Sequence, residues 1–310
     1  MAANNTVFNP ADPSAITREY MDNIIFEGNV IDSVTPDIST EFLGHSFNSP
    51  VMSAALSHLK PMGEGRKPAL LEYAEACRNK NLAAWLGMSE NEGFGAFAAE
   101  GAKSIRIIKP YADREKMFNQ IKFAEEHGAI AVGIDSLHIY NRKGYYDVVE
   151  GEQMAPLSRK DLEELVSSTK LPFIMKDILS VSDAVKSVEA GAKALLVSHH
   201  HGLVPYPIAP AMVLPEIRRA VGDDTEIFAD CCVESGADVF RLLALGADGV
   251  SVGRALMGAL RNGGTQGAEE LFTKIEDELR CLMAYTGFRT VKEINPSVLW
   301  SRKTGAKLFN

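Results

Sequence analysis

The sequence predicts an α/β protein, a single (β/α)8 (TIM) barrel with a short N-terminal extension, on three observations. Eight short apolar runs recur between residues 49 and 255. Each is apolar almost throughout, as a parallel strand covered on both faces requires. Amphipathic stretches separate the runs in unbroken alternation, and eight such units close into a barrel more readily than they extend an open sheet.

The strands are expected within 49–56 (SPVMSAAL), 83–88, 104–111, 129–136, 172–178, 194–200, 226–232 and 249–255. Helices are expected in 69–80 (ALLEYAEACRNK), 113–128, 182–193, 210–222 and 235–248, several closing on glycine, which tolerates a left-handed C-terminal cap. Residues 1–48 form the extension, and TEFLGHSFNSP (40–50) reads as a hairpin that plugs the barrel floor. The Tyr-rich stretch 137–160 is long for a βα loop, the property of lids and binding loops. Neither a linker nor a longer repeat interrupts the pattern, so 1–310 reads as one domain.

The 310 residues are 46% hydrophobic and 24% charged, an ordinary globular composition. A net charge of −9 argues against a nucleic-acid partner. No apolar run reaches the length of a membrane span. The opening MAANNTVFNPADPS has neither a basic n-region nor an apolar core, so no secretory leader is expected. Cys77, Cys231, Cys232 and Cys281 lack zinc-type spacing, which points to reduced thiols and a cytoplasmic location.

Polar residues cluster where the strands end: Lys109-Pro110-Tyr111, Asp135-Ser136, Lys176-Asp177, His199-His200-His201, Asp230 and Gly253-Arg254. In a (β/α)8 barrel these positions share the C-terminal rim, where active sites lie. Gly253-Arg254 after strand eight suits a phosphate, bound by loop amides, a helix N-terminus and the guanidinium fork. The histidine triplet alone fits a metal site, a general base or a polar loop. Three consecutive residues of extended chain put two side chains at most on one side, so a metal would need Asp135 or Asp230 as well, and none is expected. Lys176 beside Asp177 also fits a Schiff-base lyase. His45, His58, His127 and His138 have no motif around them and are expected on the surface or in loops.

Three runs carry a family resemblance. PFIMKDI through SHHHG, PAMVLPEIRRAVG and IFADCCVESGADVFRLLALGADGVSVGRALM together resemble the FMN-dependent 2-hydroxy-acid oxidases and dehydrogenases. LGHSFNSPVMSAAL, IRIIKPYADRE and ELRCLMAYTGFRTVKEI extend the likeness over about residues 40–295. It implies an FMN cofactor, with Lys176 by the flavin N1–C2=O edge. His200, two residues past Ser198 and 24 past Lys176, corresponds to the base that takes the substrate hydroxyl proton as hydride passes to flavin N5. Counting back from Gly202 selects His201 instead, so both stay in view, with His201 otherwise near the substrate. The resemblance further implies Asp135 as the partner of the base, Tyr111 and Arg142 as substrate contacts, and Ser53, Ala54, Ala55, Lys109, Ser198, Asp230, Gly253 and Arg254 as cofactor contacts. Homo-oligomers, tetrameric or larger, are the family's habit.

The chain also departs from that pattern. Leu203, Val204 and Pro205 stand where a second carboxylate-binding arginine belongs, and Lys109 replaces a glutamine. Asp230-Cys231-Cys232 replaces Asp-Gly-Gly, Glu234 an arginine and Asp177 a glycine. N-terminal helices carrying a further tyrosine are expected to be missing. These changes suit a larger or less acidic hydroxy substrate, or a flavin-binding relative without oxidase activity.

Overall fold

A computed structural model describes residues 12–141, 143–200 and 202–309. Each of the eight runs holds one barrel strand: β1 (Val51–Ser53), β2 (Ala83–Leu86), β3 (Lys103–Ile108), β4 (Ala131–Asp135), β5 (Phe173–Ile178), β6 (Ala194–Val197), β7 (Glu226–Ala229) and β8 (Gly249–Val252). All neighbours pair in parallel, and β8 returns to β1 through Val250↔Val51 to close the barrel.

Period-two alternation sorts their side chains. Met52, Trp85, Ile105, Ile107, Ile174, Leu196 and Phe228 fill the interior. Val51, Leu86, Val132, Ile134, Leu195, Ile227 and Val250 belong to the layer beneath the helices. Large interior rings need small neighbours: a Cβ on Gly249 would stand 3.1 Å from the Phe228 ring.

Eight helices alternate with the strands: α2 (Ala69–Lys80), α3 (Asn91–Ala99), α4 (Arg114–Glu126), α5 (Arg159–Ser167), α6 (Val181–Glu189), α7 (Pro210–Val221), α8 (Gly236–Ala244) and α9 (Arg254–Thr286), the last interrupted at Gly264. Side-chain caps start several of them, including Asp113 for α4, Ser180 for α6, Ser235 for α8 and a Ser158–Asp161 capping box for α5.

The extension works at both ends of the barrel. Its hairpin, Thr40–Phe42 with His45–Phe47, closes the floor. Phe42 stacks on Phe47 at 4.2 Å and meets the Phe228 edge at 5.2 Å, while the Leu43 N–H donates to the Glu226 carboxylate. The expected absence of N-terminal helices is corrected: α1 (Pro13–Asp22), started by Asp12 and by Pro13 at its first position, lies over the loops after β6 and β7. Arg18 bonds the Cys232 carbonyl at 3.1 Å and Asp238 at 2.7 Å. Tyr20 on this helix packs against the core. Ile24–Phe26 pairs antiparallel with Leu299–Ser301.

The segment after β4 contains the small hairpin Val148–Val149/Glu152–Gln153. Glu150 pairs with His58 at 3.0 Å and Glu152 with Lys116 at 3.1 Å, fastening it to the barrel.

Candidate active site

Two residues beyond the inward-facing Ile107, Gly133, Ile174, Leu196 and Phe228 come Lys109, Asp135, Lys176, Ser198 and Asp230. Alternation therefore aims these polar groups at one place, just above the apolar filling. Burial there demands that charges pair, and they do. Lys109 Nζ lies 2.5 Å from Asp135 Oδ2, and Lys176 Nζ lies 2.5 Å from Asp177 Oδ1. His200 Nδ1 is 2.7 Å from Asp177 Oδ2, 2.8 Å from Lys176 Nζ and 3.2 Å from Asp135 Oδ2. Lys109 also reaches His138 Nδ1 at 2.7 Å, and His138 Nε2 reaches Asp147 at 3.1 Å.

The charges set one another's protonation. Burial presses Lys176 towards neutrality, but Asp135, Asp177 and Asp230 outweigh it and hold the ammonium above its ordinary range. The Lys176 ammonium is engaged by Asp177 and His200, an arrangement that does not favour the free amine Schiff-base chemistry needs. Burial works against the Asp135 carboxylate too, yet Lys176, His200 and Lys109 keep it ionised well below the usual range. Asp177 is raised, by burial first and by Asp135 second. Burial and Lys176 push His200 towards the neutral ring, while Asp177 and Asp135 pull harder and raise it. His138 is lowered, by burial and then by Lys109. Ligand atoms of Asp135, His138 and His200 lie within 4.8 Å of one another, but the ammonium of Lys109 already sits on two of the three residues. A metal ion there would face that cation and Lys176.

Above the cluster opens a cavity of about 460 Å³ lined by Ala54, Ala55, Lys176, Ser198, His200, Asp230, Cys232, Gly253 and Arg254. These residues fit FMN. Lys176 offers a cation, Ser198 and Asp230 offer hydroxyl and carboxylate partners, and Arg254 stands at the start of α9, whose Gly253 cap adds no side chain. A Cβ on Gly253 would meet that of Ala54, on the wall of the same cavity, at 3.4 Å. Cys231 and Cys232 hold φ of +76° and +58°, the left-handed backbone that glycine favours. Their side chains point to protein partners: Cys231 Sγ to Asp230 at 2.9 Å, and Cys232 Sγ to Arg254 Nη2 at 3.1 Å. Burial raises both thiols, which therefore stay protonated. A second cavity of about 880 Å³ meets the first at Arg254, between Pro13, Leu137, Ile139, Tyr140, Leu203, Val204 and Pro205.

The structure brings His200, Lys176, Asp135 and Lys109 together and sets Ala54, Ala55, Ser198, Asp230, Gly253 and Arg254 around one cavity. Ser53 is turned away, its Oγ accepting from the Trp85 N–H at 2.9 Å. Tyr111 is a correction. β3 stops at Ile108, and a tight turn, Tyr111 N–H to Lys109 carbonyl at 2.9 Å, carries the chain past Pro110. The ring is then buried in the outer layer under the Lys116 ammonium, 4.8 Å from its centre, and not among the site residues. His199 points oppositely to His200, bonding Thr17 at 3.0 Å and Cys231 Sγ at 3.4 Å. Arg142 and His201 lie outside the described residues. Two members of the cluster were missed. His138 is no bland loop histidine, and its only signal was its place three residues after Asp135. Asp177 registered as a strand-end neighbour of Lys176 and as a departure from the family glycine, but not as the partner of His200.

Comparison with known proteins agrees with this geometry. The family model described as FMN-dependent dehydrogenase matches residues 14–148 and 141–301. Glycolate oxidase 3 of Arabidopsis thaliana is 29% identical over 90% of this chain and 85% of its own. An L-lactate dehydrogenase of Caulobacter sp. (strain K31) is 42% identical, over 45% of this chain and 37% of its own. A crystal structure of mandelate oxidase with 3,3-difluoro-2-hydroxy-3-phenylpropionic acid superposes with a TM-score of 0.82 over 95% of this chain and 91% of that one, at 23% identity, a likeness of fold. With the match running through the residues that build the cavity, the chain belongs to the FMN-dependent dehydrogenase family.

Proposed function

We propose that this protein oxidises the CH–OH group of a 2-hydroxy acid, or of a related larger hydroxy compound, with FMN as cofactor. The observation that carries the reading is the mooring of His200: Nδ1 faces Asp177 at 2.7 Å, and the ring lines the cavity. With Nδ1–H donated to Asp177, the Nε2 lone pair takes the substrate hydroxyl proton, and Asp177 and Asp135 hold the imidazolium that forms. Lys176 places an ammonium at the cavity wall, suited to an anionic edge of the cofactor. Bound FMN supplies the two-electron acceptor for the substrate hydride. Arg254 and the α9 N-terminus suit the phosphate, and Ser198 and Asp230 the polar side chain of the cofactor. Arg142 is the candidate for a substrate carboxylate. The apolar wall of Leu137, Ile139, Leu203 and Val204 suits a bulky substituent beside it.

The test is an absorption spectrum of the purified protein before and after denaturation, then anaerobic mixing with 2-hydroxy acids of increasing size. Flavin bands that release as free FMN and bleach with a hydroxy acid support the reading. Bands that no hydroxy compound bleaches identify a flavin-binding relative without oxidase activity, and a colourless protein that takes up no FMN sinks the proposal. The same reading extends to one domain with 137–160 as its lid, acting in the cytoplasm as a tetramer or larger assembly. Four free thiols and the exposed Tyr145 and Tyr206 support those points, and light scattering checks the assembly. Among the described residues no helix is long and apolar enough to cross a membrane.

A further inference from the structure

Alternation along β5 sends Ile174 and Lys176 inward and Met175 outward, so Asp177 ought to face outward as well. The backbone prevents it. The register with β6 passes from Lys176↔Leu196 to Ile178↔Val197, leaving Asp177 as the extra residue of a bulge. Its φ is +70°, a conformation that glycine adopts freely and a side chain resists. Bulges re-aim side chains, and here the bulge brings the carboxylate of Asp177 beside the ammonium of the residue before it. Asp177 is 2% exposed, and both its oxygens are engaged: Oδ1 with Lys176 at 2.5 Å, Oδ2 with His200 Nδ1 at 2.7 Å.

We infer that Asp177 is a positioning residue that fixes the orientation and proton occupancy of His200 and shares the charge of Lys176. The inference rests on the reading of His200 as the base.

Every group facing His200 enters the balance. β5 contributes Lys176 and Asp177; β4 and the turn after it contribute Asp135 and His138, whose ring lies 5.4 Å from that of His200. β3 contributes Lys109, which holds Asp135 at 2.5 Å, and β7 contributes Asp230, which acts through Lys176. Asp135 is thus already committed to Lys109, whereas the cationic partners of Asp177 are Lys176 and His200, with the Asp135 carboxylate facing it as a like charge. Removing its charge deletes the nearer of two carboxylates and leaves an ammonium 2.8 Å from Nδ1. Both changes drive the proton off the ring.

The experiment is a pH titration of the His200 ring by NMR in isotope-labelled protein, comparing wild type with Asp177→Asn and Asp177→Gly. His200→Asn assigns the signal. The glycine variant accepts the bulge backbone and safeguards the test if the asparagine variant misfolds. The titration midpoint is expected to move to lower pH in each folded variant, with the imidazolium fraction at neutral pH falling several-fold. An unchanged midpoint would overturn the inference, because a merely structural Asp177 would alter unfolding and leave the ring titration alone. The readout needs no turnover. If the ring titration moves while the acid limb of kcat/KM stays, the hold of Asp177 on His200 stands, and it is the assignment of His200 as base that falls.

Discussion

At the floor of the barrel, the rings of Phe42, Phe47, Trp85 and Phe228 pack with aliphatic side chains such as Met52, Ile105 and Ile174. At the rim, Lys109, Asp135, Lys176, Asp177 and His200 crowd within hydrogen-bonding distance of one another. Both regions are buried, but different forces hold them. The floor gains from apolar area removed from water, about 1.5–3 kcal/mol for each large side chain. The rim must solvate its own charges, and each of Asp135 and Asp177 has more than one cationic partner to do so. Backbone geometry differs in the same way. Leu43, at φ +52°, shares its two-residue hairpin turn with Gly44, where positive φ is what the turn type demands. Asp177, His200, Cys231 and Cys232 hold positive φ at the ends of strands, the kind of strain that collects at functional sites. Stability and chemistry are therefore segregated along the barrel axis.

Breaking the rim alone is the largest expected effect. His200→Asn, a residue that tolerates the left-handed backbone, should lower kcat by about 10²–10⁴-fold while the melting temperature stays close to wild type. Single-turnover reduction of the flavin measures the first and calorimetry the second. Breaking the floor alone should do the reverse: Phe228→Ala should cost about 3–5 kcal/mol in urea unfolding and leave the His200 titration in place. Coupling between the two readouts would blur the segregation.

A pH profile sharpens the rim. The base must be neutral to accept a proton, and the two carboxylates raise His200 above the ordinary imidazole value. The acid limb of kcat/KM should therefore lie above that value, with activity lost as pH falls through it. A limb at or below it would mean that the carboxylates do not act on the ring. The smallest effect concerns the strained thiols. Cys231→Gly or Cys232→Gly relieves a left-handed side chain and should add about 1 kcal/mol of stability. Cys232→Gly also frees Arg254 from Sγ and should tighten FMN binding, as read by fluorescence titration.

The floor and the strand–helix alternation were legible because burial on both faces leaves a continuous apolar signature. Lys176 and Asp135 were legible because alternation holds right up to the rim, and His200 through its place two residues past Ser198 in the family resemblance. Alternation fails at particular residues, each for a local reason. Pro110 and the turn at Lys109 end the period before Tyr111. The bulge reverses it at Asp177. His138 is delivered by a loop, whose path has no period to read. α1 was obscured because its packing, through Thr17 and Arg18, depends on residues more than 180 positions away.

The seam between Ile24–Phe26 and Leu299–Ser301 has a consequence for synthesis. Glu27 accepts from the Trp300 indole 273 residues later, so at translation speeds the first partner waits on the order of tens of seconds for the second. α1, which ends two residues before the seam, meets His199 and Cys232 well before Leu299 is made. A ribosome that stalls before residue 299 therefore leaves the strand that follows α1 unpaired, even when all eight barrel strands have emerged.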